Sequence, residues 1–547
     1  MSVEKLITDN IDVWTSAIKT KSASGRGSSN KLELYGIKKL RELILELAVR
    51  GKLVPQDPSD EPASKLLERI AAEREQLIKS KKIKKQKPLP PISDDDKPFD
   101  VPNGWDHCRL GNVIHVSSGK NLTSSKMVKD GGIPVFGGNG ITGYHDEANI
   151  VEKTLVIGRV GYYCGSIHIT PKKAWVTDNA FITYFSKHNI DMDFLALLLK
   201  ATDLKENENA TAQPVISGSK VYPIVVALPP THEQKRIVAK VDELMVLCDQ
   251  LESQTETNIE AHQTLVKTLL ETLTNAKDAD ELNESWQRIS EHFDVLFTTE
   301  ASIDQIKQTI LQLAVMGKLV KQDPNDEPAS KLLERIAAEK EKLIREGKLK
   351  KQKKAIAHDA VIKEGNLPHG WVAVDFGDVS FNRDSERVPL SVSQRQNRRG
   401  EYDYYGASGV IDSIDDFLFD KPLLLIGEDG ANLVNRSTPI AFMARGKYWV
   451  NNHAHVIDGI TEQLLQYLAL YINSISLLPY ITGMAQPKMN QAKMNGILVF
   501  LPPEGEQCRI LAKVDDLMAV CDKLKDRLRD AQTTQLHLTD AIVEQAS

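Results

Sequence analysis

Residues 51–87 read GKLVPQDPSDEPASKLLERIAAEREQLIKSKKIKKQK, and residues 317–353 read GKLVKQDPNDEPASKLLERIAAEKEKLIREGKLKKQK. The two stretches stand at an offset of 266 residues (317 against 51), far longer than the repeat of any solenoid. The chain is therefore an internal duplication, and its features are to be read in pairs.

An apolar segment precedes each copy: Leu43, Ile44, Leu45, Leu47, Ala48 and Val49 in the first, Ile310, Leu311, Leu313, Ala314 and Val315 in the second. This spacing predicts a buried helix end, with Gly51 and Gly317 where a helix C-terminus favours left-handed backbone. Pro58 and Pro62, like Pro324 and Pro328, forbid a continuous helix and pin a turn. From Pro62 or Ala63 a second helix is expected, its apolar face formed by Leu66, Leu67, Ile70, Ala71, Leu77 and Ile78. A basic tail follows, comprising Lys79, Lys81, Lys82, Lys84, Lys85 and Lys87, and Lys348, Lys350, Lys351, Lys353 and Lys354 in the second copy. Such a tail suits nucleic acid or simply a solvated helix end.

A chain of 547 residues exceeds one core, and 41% hydrophobic with 26% charged residues is ordinary for a soluble globular protein. No apolar run approaches the roughly 20 residues that span a bilayer, and the N-terminus has no secretory pattern. Five cysteines without CxxC spacing point to reduced thiols and a cytoplasmic location. A net charge of −6 argues weakly against DNA binding by bulk charge, although local cations set that affinity.

A helix is expected around residues 6–18, then a small-residue loop at 22–30. Residues 7–14 have a faint echo at 289–296, so the duplication begins near the N-terminus. A Pro-rich linker, Pro88 to Pro91, separates the first helical unit from a different texture, which opens at VPNGW (101–105) and again at LPHGW (367–371). Short β-like runs are expected at 133–136, 154–157, 180–184, 423–426 and 454–457, punctuated by glycines. The two regions share a skeleton but not a sequence: FGGNG (136–140) faces YGASG (405–409), Ile157-Gly158 faces Ile426-Gly427, and Trp175-Val176 faces Trp449-Val450. Each closes on a Gln-Pro pair (213–214; 486–487) and a Leu-Pro-Pro (228–230; 501–503), after which Glu-Gln-x-Arg-Ile starts a long helix at 233 or 506. Val241, Leu244, Cys248, Leu251, Thr255, Ile259, His262, Val266, Leu269 and Leu273 alternate spacings of three and four, a coiled-coil seam. Val514, Leu517, Cys521, Leu524 and Leu528 open its counterpart, and Thr255 and His262 are polar seam positions expected to fix register.

No catalytic constellation emerges. FGGNG matches an S-adenosylmethionine-binding fingerprint, but a turn rather than a helix follows, and the other copy abandons the pattern. Phosphate-cradling loops and zinc spacings are absent, and His453 and His455 read as structural or surface residues. What remains is recognition, by two unlike readers on one frame. The second region offers Arg383, Arg387, Gln394, Arg395, Gln396, Asn397, Arg398 and Arg399, side-chain types that pair with guanine and adenine edges. The first offers Lys120, Asn121, Ser124, Ser125, Lys126 and Lys129 in the corresponding place. Asn139, Arg159, Ser408 and Lys488 complete the DNA-binding candidates.

The segments AVxGKLV…DEPAxxLL, the glycine-marked regions that open near GW, and LPPxxEQxRI resemble those of the specificity subunit of type I restriction-modification systems. The resemblance runs over the whole chain. It implies an α+β fold with two α/β target recognition domains, joined by long antiparallel coiled-coil helices with an internal pseudo-twofold duplication. It implies an N-terminal helical region over 1–100, recognition domains at 101–230 and 367–503, a central helical region at 231–366 and a C-terminal helix from 504 to 547. It further implies a non-catalytic, sequence-specific double-stranded-DNA-binding subunit. Each domain would read half of a bipartite site, and the helices would set the gap. Two modification (methyltransferase) and two restriction (translocase and endonuclease) subunits would be its partners, and S-adenosylmethionine, ATP and Mg would act in them, with no cofactor or metal in this chain and no membrane. A structural coiled-coil scaffold is the alternative, though it gives no reason for two β regions of matched size.

Overall fold

The computed structural model describes residues 3–21, 31–81, 83, 86–129, 131–204, 215–277, 279–351, 367–483 and 486–546. The expected loop at 22–30, Gln213-Pro214, and Lys82, Lys84, Lys85, Lys353 and Lys354 lie outside these residues. The chain forms two units, Met1–Asn258 with Ala531–Ser547, and Ile259–Asp530.

In the first unit the 6–18 expectation resolves into two short helices, Val3–Asp9 and Ile11–Ser16. Helix α1 (Tyr35–Val49) buries Leu40, Leu43, Ile44 and Leu47 and ends before Gly51, which takes φ +70°. A Cβ there would lie 2.5 Å from Pro102 Cγ, so both backbone hand and space demand glycine. Helix α2 (Ala63–Lys79) follows Pro62, and its first amide donates to Gly104 O at 2.8 Å. Ala63, Leu66 and Ile70 are buried, whereas Ala71, expected on that face, is exposed. The Pro88 to Pro91 segment is not a free linker. Arg109 is buried and donates to Pro90 O at 2.8 Å, Pro91 O at 2.9 Å and Pro223 O at 2.6 Å, which straps the segment to the globular region. Unmet proline carbonyls without such a donor would favour solvent.

That region comprises strands β1 (Asp106–Arg109), β2 (Ile114–Ser118), β3 (Ile133–Gly137), β4 (Gly140–His145), β5 (Leu155–Gly158), β6 (Ile167–Ile169), β7 (Trp175–Val176) and β8 (Ala180–Phe185), then helix α3 (Met192–Ala201) and strand β9 (Val225–Leu228). One antiparallel sheet has the order β2-β8-β5-β6, a second has β4-β3-β7 with β3 parallel to β7, and β1 pairs with β9. Opening and closing strands thus lie side by side. Helix α4 (Thr231–Asn275) then begins, roughly 65 Å long at 1.5 Å per residue. Its Val241, Leu244, Cys248 and Leu251 pack into the first unit's core with α1, and Arg41 of α1 reaches Glu252 at 2.6 Å. The opening of the seam is therefore filled by the unit's own helix.

The second unit repeats the plan. Helix α5 (Glu300–Val315) ends before Gly317, φ +68°, and helix α6 (Ala329–Arg345) donates its first amide to Gly370 O at 2.8 Å. The faint echo of residues 7–14 is real packing: Ile7 and Ile289 are buried, as are Trp14 and Leu296. The strands are β10 (Val372–Asp375), β11 (Phe381–Asn382), β12 (Tyr402–Gly406), β13 (Gly409–Ile414), β14 (Phe419–Asp420), β15 (Leu423–Gly427), β16 (Ala441–Ala444), β17 (Lys447–Val450) and β18 (Ala454–Asp458), then helix α7 (Glu462–Ser474) and strand β19 (Leu498–Leu501). Sheet orders β11-β18-β15-β16 and β13-β12-β17-β14 match the first unit, with β14 added. Register agrees too: Phe136 pairs with Val176 and Tyr405 with Val450, each next to a β-bulge. Helix α8 (Glu504–Ala546) starts here, and its Lys525 reaches Asp304 of α5 at 2.8 Å. Thr255 and His262 find partners other than a register-fixing mate: Thr255 Oγ1 donates to Leu251 O of its own helix, and His262 Nε2 sits 3.1 Å from Val295 O. Among the described residues no helix is long and apolar enough to cross a membrane.

Candidate nucleic-acid interface

In each unit one end of the antiparallel sheet gathers the same loops. In the first, β2 and β5 both finish beside the start of β8, since Ser118 pairs with Phe181 and Gly158 with Ala180. Lys120 N donates to Val176 O at 2.9 Å, and Arg159 N to Asn179 O at 2.9 Å. The β3–β4 turn reaches the same end, where Ser166 Oγ donates to Gly138 O at 2.9 Å. A Cβ at Gly158 would stand 2.1 Å from that oxygen, so glycine lets the turn close onto the sheet. Lys120, Asn139 and Arg159 are brought together by this closure. Asn121 and Ser124 lie exposed on the following segment, and Lys126 sits beside His145, at the other end of β4 from Asn139.

In the second unit β11 and β15 finish beside β18, where Asn382 pairs with Ile457 and Gly427 with Ala454. Gly427 closes onto Ala407 O, placing Ser408 at this end. Met489 N donates to Glu428 O at 2.8 Å, which brings in Lys488. Arg383 and Arg387 belong to the same cluster, whereas Arg395 and Arg398 lie along β13.

The charges differ between the two ends. Arg383 Nε is 2.7 Å from Asp458, Arg387 Nη1 2.9 Å from Glu428, Arg395 Nε 2.9 Å from Asp412, and Arg398 Nε 3.0 Å from Asp415. Arg395 and Arg398 also lie 5.0 Å over the rings of Tyr404 and Trp449, and Arg399 is exposed. Lys488 Nζ is 3.1 Å from Glu428. In the first unit Arg159 lies 5.3 Å over Phe181, its guanidinium meeting Ser118 Oγ and Asp178 O only at 3.4 Å.

Strand register makes the contrast specific. Phe181 and His455 each follow the alanine that pairs with the last glycine of β5 or β15, and Arg159 and Glu428 each follow that glycine. A neutral ring beneath a cation in the first unit becomes a buried acid–base cluster in the second. His455 is buried, with Nδ1 2.6 Å from Asp384 and Nε2 2.9 Å from Met489 O. Burial pulls the His455 pKa down, but the Asp384 hydrogen bond and charge outweigh it and raise the value. Burial pushes Asp384 and Glu428 up, but the His455 hydrogen bond and charge, with Arg387, hold Asp384 below the usual carboxylate values, and the His455 charge, with Arg387 and Lys488, does the same for Glu428. Exposed His453 pairs with Asp429 at 2.9 Å. Of the two histidines read as structural or surface, one is each. Sequence inspection missed the cluster, for Asp384 and His455 stand 71 residues apart. The alternation of His453 and His455 on a β-like run was its one visible trace, although His453 stands in the turn before β18 and only His455 is in the strand.

A family model described as the type I restriction modification DNA specificity domain matches residues 102–261 and again 368–531. The type I restriction enzyme EcoEI specificity subunit of Escherichia coli is 39% identical over 594 aligned positions, with 100% of both chains covered. The EcoAI specificity subunit of the same organism is 40% identical over 603, again with both chains covered at 100%. The crystal structure of an HsdS subunit from Thermoanaerobacter tengcongensis is 16% identical, with 82% of this chain and 98% of that one covered at a TM-score of 0.40.

Proposed function

This chain belongs to the family of type I restriction-modification specificity subunits, and from that membership we propose that its two globular regions each read one half of a bipartite DNA site. Sequence recognition of DNA is the subunit's function. The observation that supports two different readers is the substitution of Arg159 by Glu428 at one register position of otherwise matched folds. A guanidinium donates to guanine O6 and N7, and a carboxylate with a bound lysine presents a different hydrogen-bond pattern. Lys120, Asn121, Ser124, Asn139 and Arg159 face the first half-site, with Lys126 at the far end of β4. Arg399, Ser408 and Lys488 face the second, on a surface that Arg383, Arg387, Arg395 and Arg398 support through carboxylates of their own unit.

Helices α4 and α8 set the unread gap and dock two modification subunits, which two restriction subunits join. Methyl transfer with S-adenosylmethionine, and ATP- and Mg-dependent translocation and cleavage, take place in those cytoplasmic partners, and this chain carries no catalytic residue.

The test is methylation mapping of genomic DNA from a host that expresses this chain with its modification subunit, against one lacking only this chain. A methylated split motif with a fixed gap, present only with the chain, is the expected result. No new motif from a verified soluble complex would leave the chain a scaffold.

A further inference from the structure

The loop after β5 carries two adjacent large side chains that solvent does not favour. Tyr162 is 80% exposed and Tyr163 56%, their rings 5.0 Å apart and 87° to one another. We propose that this pair is an aromatic base-stacking element of the first globular region, seated against bases of its half-site at a locally opened step. The inference rests on the reading of that region as a DNA reader, and adds to it a contact of a different physical kind.

The rings are held out by a pinned backbone. Gly158 N donates to Ser166 O and Gly165 N to Gly158 O, both at 2.8 Å, which closes the loop at its base. Ile216 N donates to Arg159 O at 2.9 Å, and Ser166 N to Tyr163 O at 3.1 Å. Gly161 at φ +97° and Gly165 at φ +86° supply the turns that an L side chain resists. Cys164 points the other way and is 2% exposed in the unit's core. The loop is therefore anchored through Cys164 and presents both tyrosines outward, so little conformational freedom remains to be lost on binding.

The surroundings select nucleic-acid bases as the occupant. Arg159 is on the same loop, and Lys120 and Asn139 are at the same sheet end. Aromatic faces beside cations that track phosphates are the combination used to stack bases without a fixed hydrogen-bond code. Rings inserted at a base step unstack it and deform the duplex, which reads sequence through deformability. The counterpart loop of the second unit, after Gly427, reads Glu428, Asp429, Gly430, Ala431 and Asn432 and has no ring. Stacking thus serves one half-site only.

The experiment uses the chain assembled with its modification subunits and a duplex carrying the mapped site. 2-Aminopurine replaces, one at a time, first-half-site adenines other than the methylated one. With the native chain and with Tyr162→Phe/Tyr163→Phe, fluorescence rises on binding as a step unstacks. Tyr162→Ala/Tyr163→Ala abolishes the rise and weakens binding about tenfold or more, with second-half-site preference unchanged. Exposed rings contribute little to folding, so the melting temperature stays put; should the double variant unfold, Tyr162→Ala alone reports the same loss. Unchanged affinity and fluorescence in the alanine variant overturn the assignment while the mapped motif keeps the DNA-reader reading intact. Failure of the alanine variant to assemble with the modification subunits also overturns it, and moves the rings to a protein interface. A native complex that methylates no split motif sinks both readings together.

Discussion

Arg236 Nη2 donates to Asp60 Oδ2 at 2.7 Å, and Arg509 Nη2 makes the same bond to Asp326 Oδ2 at 2.5 Å in the second unit. Each bond ties the proline-pinned turn of a repeat unit to the first turns of a long helix, and Asp60 is only 6% exposed. Arg236→Ala leaves that carboxylate without its charged donor, a loss of about 1–3 kcal/mol. Chemical denaturation of the single variants and of Arg236→Ala with Asp60→Asn checks this. Simple additivity of the two substitutions would show that the bond does not couple the motifs.

Glycine at 51 and 317 answers two demands at once. Gly51→Ala or Gly317→Ala places a Cβ 2.5 Å from Pro102 Cγ or Pro368 Cγ in left-handed backbone, and should cost about 1–3 kcal/mol. Gly161→Ala, also left-handed but with open space around it, should cost less. Equal melting temperatures for Gly51→Ala and Gly161→Ala would mean that the proline contact relaxes freely.

Stability of the second unit should fall on both sides of a mildly acidic optimum. His455 has its pKa raised on folding, so its contribution is complete below its unfolded value of about 6.5 and is lost as pH rises through the higher folded one. Asp384 has its pKa lowered, so its contribution is present above about 3.9 and is lost as pH falls through the folded value. The window for the pair therefore lies between roughly pH 4 and 6.5. His455→Phe, the first unit's solution at this position, should remove the alkaline slope in denaturation series from pH 5 to 9. A slope that persists in that variant assigns it to another group.

Salt dependence should separate cations that face DNA from those that hold the fold. Lys120→Ala and Arg159→Ala should each lower the slope of log affinity against log salt by about one. Arg395→Ala should leave the slope unchanged and destabilise the second unit by about 1 kcal/mol, because its guanidinium is engaged by Asp412 and Leu390 O. Titrations at four salt concentrations decide it; a slope change for Arg395→Ala would mean that its ion pair opens onto phosphate.

Much of this architecture is written locally along the chain. The duplication, the helix–turn–helix units, the two long helices and five of the strands follow from side-chain periodicity, proline and glycine placement, and turn chemistry, each of which acts over a few residues. The match of FGGNG (136–140) to YGASG (405–409) and of Trp175-Val176 to Trp449-Val450 was legible because two unlike sequences share one skeleton. The pairing of Phe136 with Val176 and of Tyr405 with Val450, by contrast, came only with the fold. What tertiary structure alone decided is which charges meet. Arg383, Arg387, Arg395 and Arg398 look like free donors in sequence, yet each finds a carboxylate within its own unit, at separations of 17 to 75 residues. Arg109 turns an apparent linker into part of a domain in the same way, by gathering carbonyls from both ends of the region. Periodicity tells a residue which face of its own element it occupies; strand register and loop closure tell it which distant side chain stands opposite. At these sheet ends, whether a cation is spent on a neighbour or left for a phosphate depends on that second kind of information.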